Sequence, residues 1–294
     1  MGNLKKKRVR SVLQFAGFGL PATFIWIAVV IIPFVYGIGI TFTDWNGLSM
    51  NINFVGLENY KAVFSDSKFM SAFLKTVIYV FFTVIASNVV GFLLALAVTS
   101  GIKGQSLFRT GFFTPNIIGG IILGYIWNFI FSYALTALGK GMGIEWLSTS
   151  WLTNPTRALM ALIIVSSWQM SGYLMVIYIA GLTNVPAELI EAATIDGANG
   201  WQIVKNVKIP LVRNSITICT FLAISRSFMS FDMNLSLTAG GPYKSTELIA
   251  YKIYQTAFTS MEFGKGQAQA IVLFVIVAVI SLLQVYFTRK GAED

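Results

Sequence analysis

A helix needs about 20 consecutive apolar residues to cross the hydrocarbon core of a bilayer. Five stretches of this sequence reach that length without a single charged residue: Leu13–Thr43, Thr76–Ile102, Thr110–Gly139, Ala158–Ala187 and Gly266–Thr288. A sixth, Asn214–Phe231, qualifies once Arg226 is admitted inside it. No other feature constrains the fold as strongly. Backbone groups in lipid must find partners within the protein, and unbroken apolar runs satisfy that need as helices. The expectation is an all-α, polytopic membrane protein with six transmembrane helices, its residues 1–294 forming a single transmembrane domain. Only 11% of residues are charged, against roughly 25% in soluble domains, and the mean hydropathy is +0.71.

Basic residues near span ends remain on the cytoplasmic side. Lys5, Lys6, Lys7, Arg8 and Arg10 therefore set the N-terminus inside, and six spans bring the C-terminus back to the same side. The inner segments then carry 12 basic and 5 acidic residues and the outer ones 8 and 7, with Arg226 left in the membrane. The net charge of +9 thus reads as topology, and no nucleic-acid partner is expected. The first apolar run is far longer than the ~7–15-residue core of a signal peptide, so an uncleaved span is expected there.

The chain has no histidine, which removes the commonest general base and zinc ligand, and no metal site is expected. Its single cysteine, Cys219, cannot form an intramolecular disulfide.

The inner segment Asn184–Arg213 (184–213) is long for a connector and reads as two short helices. Pro186 suits a first turn, Glu188 and Glu191 suit the positive N-terminal half, and Gly197 suits a left-handed terminus, which predicts a helix over Pro186–Asp196. After Gly200, Trp201–Lys208 reads as an amphipathic piece near the headgroups, with Pro210 opening the fifth span.

Within that segment, Glu191-Ala192-Ala193-Thr194-Ile195-Asp196-Gly197-Ala198, followed by Ile209-Pro210-Leu211, resembles the EAA signature of permease subunits of binding-protein-dependent ABC importers. Phe54-Val55-Gly56-Leu57-Glu58-Asn59-Tyr60 and Leu237-Thr238-Ala239-Gly240-Gly241-Pro242 are similar to segments of the carbohydrate-uptake branch, the maltose and glycerol-3-phosphate type. Val204 and Ile209 depart from the usual aromatic and leucine, apolar for apolar. The resemblance implies a cytoplasmic coupling helix between spans 4 and 5 and assigns Glu191, Ala192, Ala193, Asp196 and Gly197 to contact with an ATPase. It implies a second permease subunit as heterodimer partner, two ATPase subunits, an extracytoplasmic solute-binding protein and a carbohydrate substrate. The location it implies is the inner or plasma membrane of a bacterium or archaeon. No cofactor is expected on this chain, and ATP would bind the partner subunits. The nearest phosphate-loop lookalike, Gly241-Pro242-Tyr243-Lys244-Ser245-Thr246, has Tyr243 where a glycine must precede the lysine, so no ATP hydrolysis is expected here.

A charge inside a span faces a polar cavity or a partner by default. Ala223, Arg226, Ser227 and Ser230 recur at i, i+3, i+4 and i+7, a small and polar stripe suited to a sugar path. The family resemblance adds Tyr173 and Asn116. The competing reading pairs Arg226 with Asp232 or with the partner permease. Ser166, Ser167 and Gln169 are expected as interhelical hydrogen-bonding groups, and Gly120 and Gly124 as a close-packing pair. The alternatives are an amino-acid or peptide permease, an ion-driven secondary transporter and a membrane-embedded enzyme. The last two lack acids placed clearly within a span.

Overall fold

The computed structural model describes residues 15–290 apart from Phe18 and Ile102. The basic cluster Lys5–Arg10 and the start of the first apolar run lie outside the described residues. The described chain is helical, with one isolated β-bridge, Thr43 to Phe54. Five helices are long and apolar enough to cross a membrane: α1 (Phe15–Ile40), α3 (Ser67–Thr99), α5 (Gly120–Met142), α6 (Pro155–Thr183) and the span Phe263–Thr288 within α12 (Phe263–Lys290). A sixth span results if α8 (Gly200–Leu211) and α9 (Arg213–Phe228), bent by 74° at Val212, are taken as one. Between these lie α2 (Glu58–Ser65), α4 (Gln105–Ile117), α7 (Ala187–Ile195), α10 (Asp232–Leu237) and α11 (Ile249–Tyr254).

The chain divides into two compact units, Met1–Ser65 with Ile253–Val272, and Asp66–Lys252 with Leu273–Asp294. In the first, Asn59 of the Phe54–Tyr60 motif donates from Nδ2 to the carbonyls of Thr41 and Thr43, each at 2.8 Å. It thereby satisfies carbonyls where the chain leaves α1, which would otherwise lack partners. The Asp44 carboxylate accepts from Asn53 Nδ2 at 2.9 Å and from Asn53 N at 2.8 Å, which holds its pKa below the usual carboxylate value.

The second unit is built on α3 and α6. Asp66 caps α3, accepting from the N–H of Lys68 at 2.9 Å and of Phe69 at 3.3 Å. Asn154 caps α6 in the same manner, with Pro155 in its first turn. Along α3, Ala72, Thr76, Val80, Thr83, Ser87, Gly91, Ala95 and Val98 are buried, a single stripe at helical spacing, while Phe81, Phe82, Ile85, Val89 and Leu93 face outward. The buried stripe is small because helices in lipid associate through close packing rather than hydrophobic exclusion. At Gly91 a Cβ would fall 3.0 Å from the carbonyl oxygen of Ser171 and 3.1 Å from Leu174 Cβ. Tyr178 closes the same interface, donating to Asn88 Oδ1 at 2.7 Å.

The third apolar run, read as one span over Thr110–Gly139, is two helices. Pro115 removes one backbone donor from α4, and Ile118 and Gly119 take extended backbone (ψ 128° and 140°) before α5 begins. Charge counting cannot see this break, because none of the residues that make it is charged. Asn116 consequently stands near the end of α4 and not within the spanning helix.

Candidate functional site

The break between α4 and α5 and the end of α9 enclose a cavity of about 570 Å³. Asn116, Ile118, Gln169, Ser225, Arg226, Ser227, Ser230 and Asp232 are among the residues lining it, with Tyr79 from α3. Gln169 donates from Nε2 to the carbonyl of Ile118 at 3.1 Å and so satisfies an acceptor near the break. Arg226 donates from Nη1 to Asn116 Oδ1 at 3.1 Å, and its guanidinium carbon lies 4.2 Å above the centre of the Tyr173 ring. Hydrogen bonding to a neutral amide and stacking on an aromatic face leave the positive charge uncompensated. Among the described residues Arg226 forms no ion pair with Asp232. Tyr79 donates from its hydroxyl to Ser230 Oγ at 3.2 Å.

Arg226, Ser227, Ser230 and Asn116 thus meet in one cavity, and Tyr173 lies beneath the guanidinium. Ala223 stands apart from them: it is fully buried with Cys219, Met170, Leu174 and Tyr178 in the apolar core. Cys219, Ala223 and Ser227, four residues apart, form the buried side of α9, and the small side chain at 223 serves helix packing. Gln169 makes the interhelical bond expected of it, but Ser166 and Ser167 do not: both Oγ atoms are buried without a hydrogen-bond partner, as is that of Ser227. Gly120 and Gly124 pack as expected, since Cβ atoms there would fall 2.8 Å from the Cβ atoms of Asp232 and Ser236 on α10.

Sequence reasoning missed Tyr79 and Ser225, and it considered Asp232 only as an ion-pair partner of Arg226. Tyr79 is one of several hydroxyls in its apolar span, with Thr76, Thr83 and Ser87, and Asp232 is the residue that ends the charge-free run, which set it among the outer charges. The phosphate-loop lookalike 241–246 is an ordered turn in which Thr246 donates from Oγ1 to the Gly241 carbonyl at 2.6 Å.

A second feature stands at α7. Glu191 and Ala192 are exposed and Ala193 is half-buried. Pro186 occupies the position preceding the helix, not its first turn, and Asp196 follows the last helical residue. Gly197 has φ +82°. Its N–H donates to the Thr194 carbonyl at 3.1 Å, and the Ala198 N–H to the Ala193 carbonyl at 2.9 Å. This is the paired C-terminal closure that a left-handed glycine permits. Asn199 and Gln202 then bond reciprocally to each other's backbone, at 3.0 and 2.7 Å, to start α8. Ile195 and Trp201 remain exposed. The result is a short helix with its C-terminal end chemically fixed, displaying an acid and a small apolar surface.

The model of the binding-protein-dependent transport system inner membrane component family matches residues 87–291, which contain α7, α9 and nearly all of the cavity. The chain belongs to this family. It is a multi-pass membrane protein and the membrane component of a binding-protein-dependent transport system. Among its relatives, AmyD of Thermoanaerobacterium thermosulfurigenes, a "probable starch degradation products transport system permease protein", is 44% identical over 97% of both chains. The multiple sugar-binding transport system permease protein MsmF of Streptococcus mutans is 35% identical over 88% of this chain and 89% of its own. A solved bacterial ABC transporter involved in the import of the acidic polysaccharide alginate shares the fold, with a TM-score of 0.82 over 98% of this chain and 99% of that one at 19% identity.

Proposed function

We propose that this chain is the permease half of an ABC importer that moves a saccharide from an external binding protein to the cytoplasm by ATP-driven alternating access. The observation that carries the reading is the cavity. Hydroxyls, amides and a guanidinium converge where two helices break, in a membrane protein whose relatives bear the names of sugar permeases. Polar side chains are retained at such depth when they line a pathway. Sugar hydroxyls both donate and accept, so Asn116, Arg226, Ser227 and Ser230 suit them with Tyr173 as support. Ala223 belongs to the packing behind the path.

In this reading residues 1–294 act as one transmembrane domain with both termini cytoplasmic. Glu191, Ala192, Ala193, Asp196 and Gly197 couple the chain to a separate ATPase subunit, which alone hydrolyses ATP. A short helix closed at its C-terminal end transmits rigid-body motion better than a loop would. Copy number and energy source test the proposal. The tagged chain is expected to co-purify with a second permease and two ATPase copies, and uptake of labelled maltotriose into proteoliposomes to require ATP and binding protein. Recovery of this chain alone, or uptake driven by an ion gradient, would contradict it.

A further inference from the structure

The cavity holds two charged side chains that do not neutralise each other. Arg226 is engaged by Asn116 and Tyr173, both uncharged, and among the described residues the Asp232 carboxylate has neither a hydrogen-bond partner nor an ion pair. Among the described residues no other charged side chain lines the space. Two further polar atoms wait in it: the hydroxyls of Ser166 and Ser227 are buried, at 7% and 1% exposure, without partners. A buried hydroxyl without a partner is costly unless something supplies one.

We infer that Asp232 and Arg226 together select an uncharged saccharide and reject an anionic one, with Asp232 as the residue that sets the discrimination. This rests on the cavity being the substrate path. A neutral sugar hydroxyl donates to the carboxylate of Asp232 and accepts from the guanidinium of Arg226, so both charges and both orphan serines are served by one chemical group. A saccharide carboxylate or phosphate gains at Arg226 but meets the like charge of Asp232, which lines the same cavity, and like charges close together repel. It also has no proton to give the carboxylate. Arg226 alone would favour an acidic substrate, and the unpaired carboxylate lining the same cavity reverses that preference.

The test measures equilibrium binding of labelled maltotriose to the purified assembled complex. Two competitors are compared: maltotriose carrying a carboxylate at C6 of one terminal glucose, and the matching carboxamide. The carboxamide is expected to compete at least about tenfold better than the carboxylate. Asp232→Asn should narrow that gap about tenfold, and Arg226→Gln should widen it, a change in the opposite direction that misfolding of either variant would not produce. An equal gap in wild type and Asp232→Asn, or a wild-type preference for the carboxylate, would overturn the inference. Ser230→Trp separates this from the underlying reading. If it leaves maltotriose binding intact, the cavity is not the path and both fall. If it abolishes binding while Asp232→Asn changes nothing, only the charge selection fails.

Discussion

Gly197 offers the sharpest perturbation of α7, the proposed coupling helix, because its cost is conformational and little else. Its φ of +82° lies in the left-handed region, and a Cβ built there meets nothing within 4 Å. Steric collision therefore contributes nothing, and the cost of a side chain is that of left-handed backbone, roughly 1–2 kcal/mol for an L-residue and more for a β-branched one. That shifts the population of the closed helix end about 5–30-fold, since each ~1.4 kcal/mol is a factor of ten. The closing bonds from Gly197 and Ala198 to Thr194 and Ala193 would open, and Asp196 would lose its place relative to Glu191. The measurement is saccharide imported per ATP hydrolysed, in proteoliposomes containing the full complex. Gly197→Asn should stay close to wild type, because Asn tolerates the left-handed region. Gly197→Ala should fall several-fold and Gly197→Val tenfold or more, with assembly retained in each. Asn and Val equally impaired would mean that side-chain bulk at the partner surface matters, and not backbone geometry. Normal coupling in the Val variant would refute the reasoning altogether.

Three other outcomes follow from the packing and the charges. Gly124→Leu should lower the melting temperature of the detergent-solubilised complex markedly, because its side chain must occupy the space of Ser236, an overpacking cost of about 1–3 kcal/mol. Gly119→Ala, which meets nothing within 4 Å, should leave the melting temperature unchanged. Tyr178→Phe removes the bond to Asn88 and should destabilise the α3–α6 pair by about 0.6 kcal/mol, the usual size of such bonds in membranes, read as a small shift in thermal unfolding. The Asp44 carboxyl is held below its ordinary value by Asn53. Its contribution to loop order is therefore complete above the ordinary Asp range and lost as pH falls through the lowered value. Hydrogen exchange of residues 44–53 should rise on acidification, and Asn53→Ala should move that rise to higher pH.

The spans were legible in the sequence because the bilayer imposes one length on all of them, and a gap between charges measures that length directly. The segment 184–213 was legible for a related reason: acids, small residues, a left-handed glycine and a proline each have positional chemistry, though Pro186 and Asp196 fall just outside α7 and Pro210 lies within α8 instead of opening α9. The break at Ile118 and Gly119 was hidden because it is written in backbone conformation within an uncharged run. Ala223 was misplaced because periodicity groups residues by face without saying which part of that face meets a cavity and which meets α6. Asp232 entered only as a possible ion-pair partner of Arg226, since counting charges by side sets it among the outer residues, whereas the chain turns at Met229–Phe231 and returns it to the cavity. Ser166 and Ser167 show the same limit. A serine in a span is equally suited to bond a neighbour or to await a ligand, and only the positions of the surrounding acceptors decide.

In the proposed function a saccharide passes through the cavity under the control of ATP. Accumulation of labelled maltotriose in proteoliposomes of the assembled complex, compared between wild type and Ser230→Trp, tests it most directly. Wild type should accumulate the sugar against its gradient only with ATP inside and loaded binding protein outside, and the tryptophan variant should assemble yet accumulate none. Equal accumulation by both proteins would contradict the account.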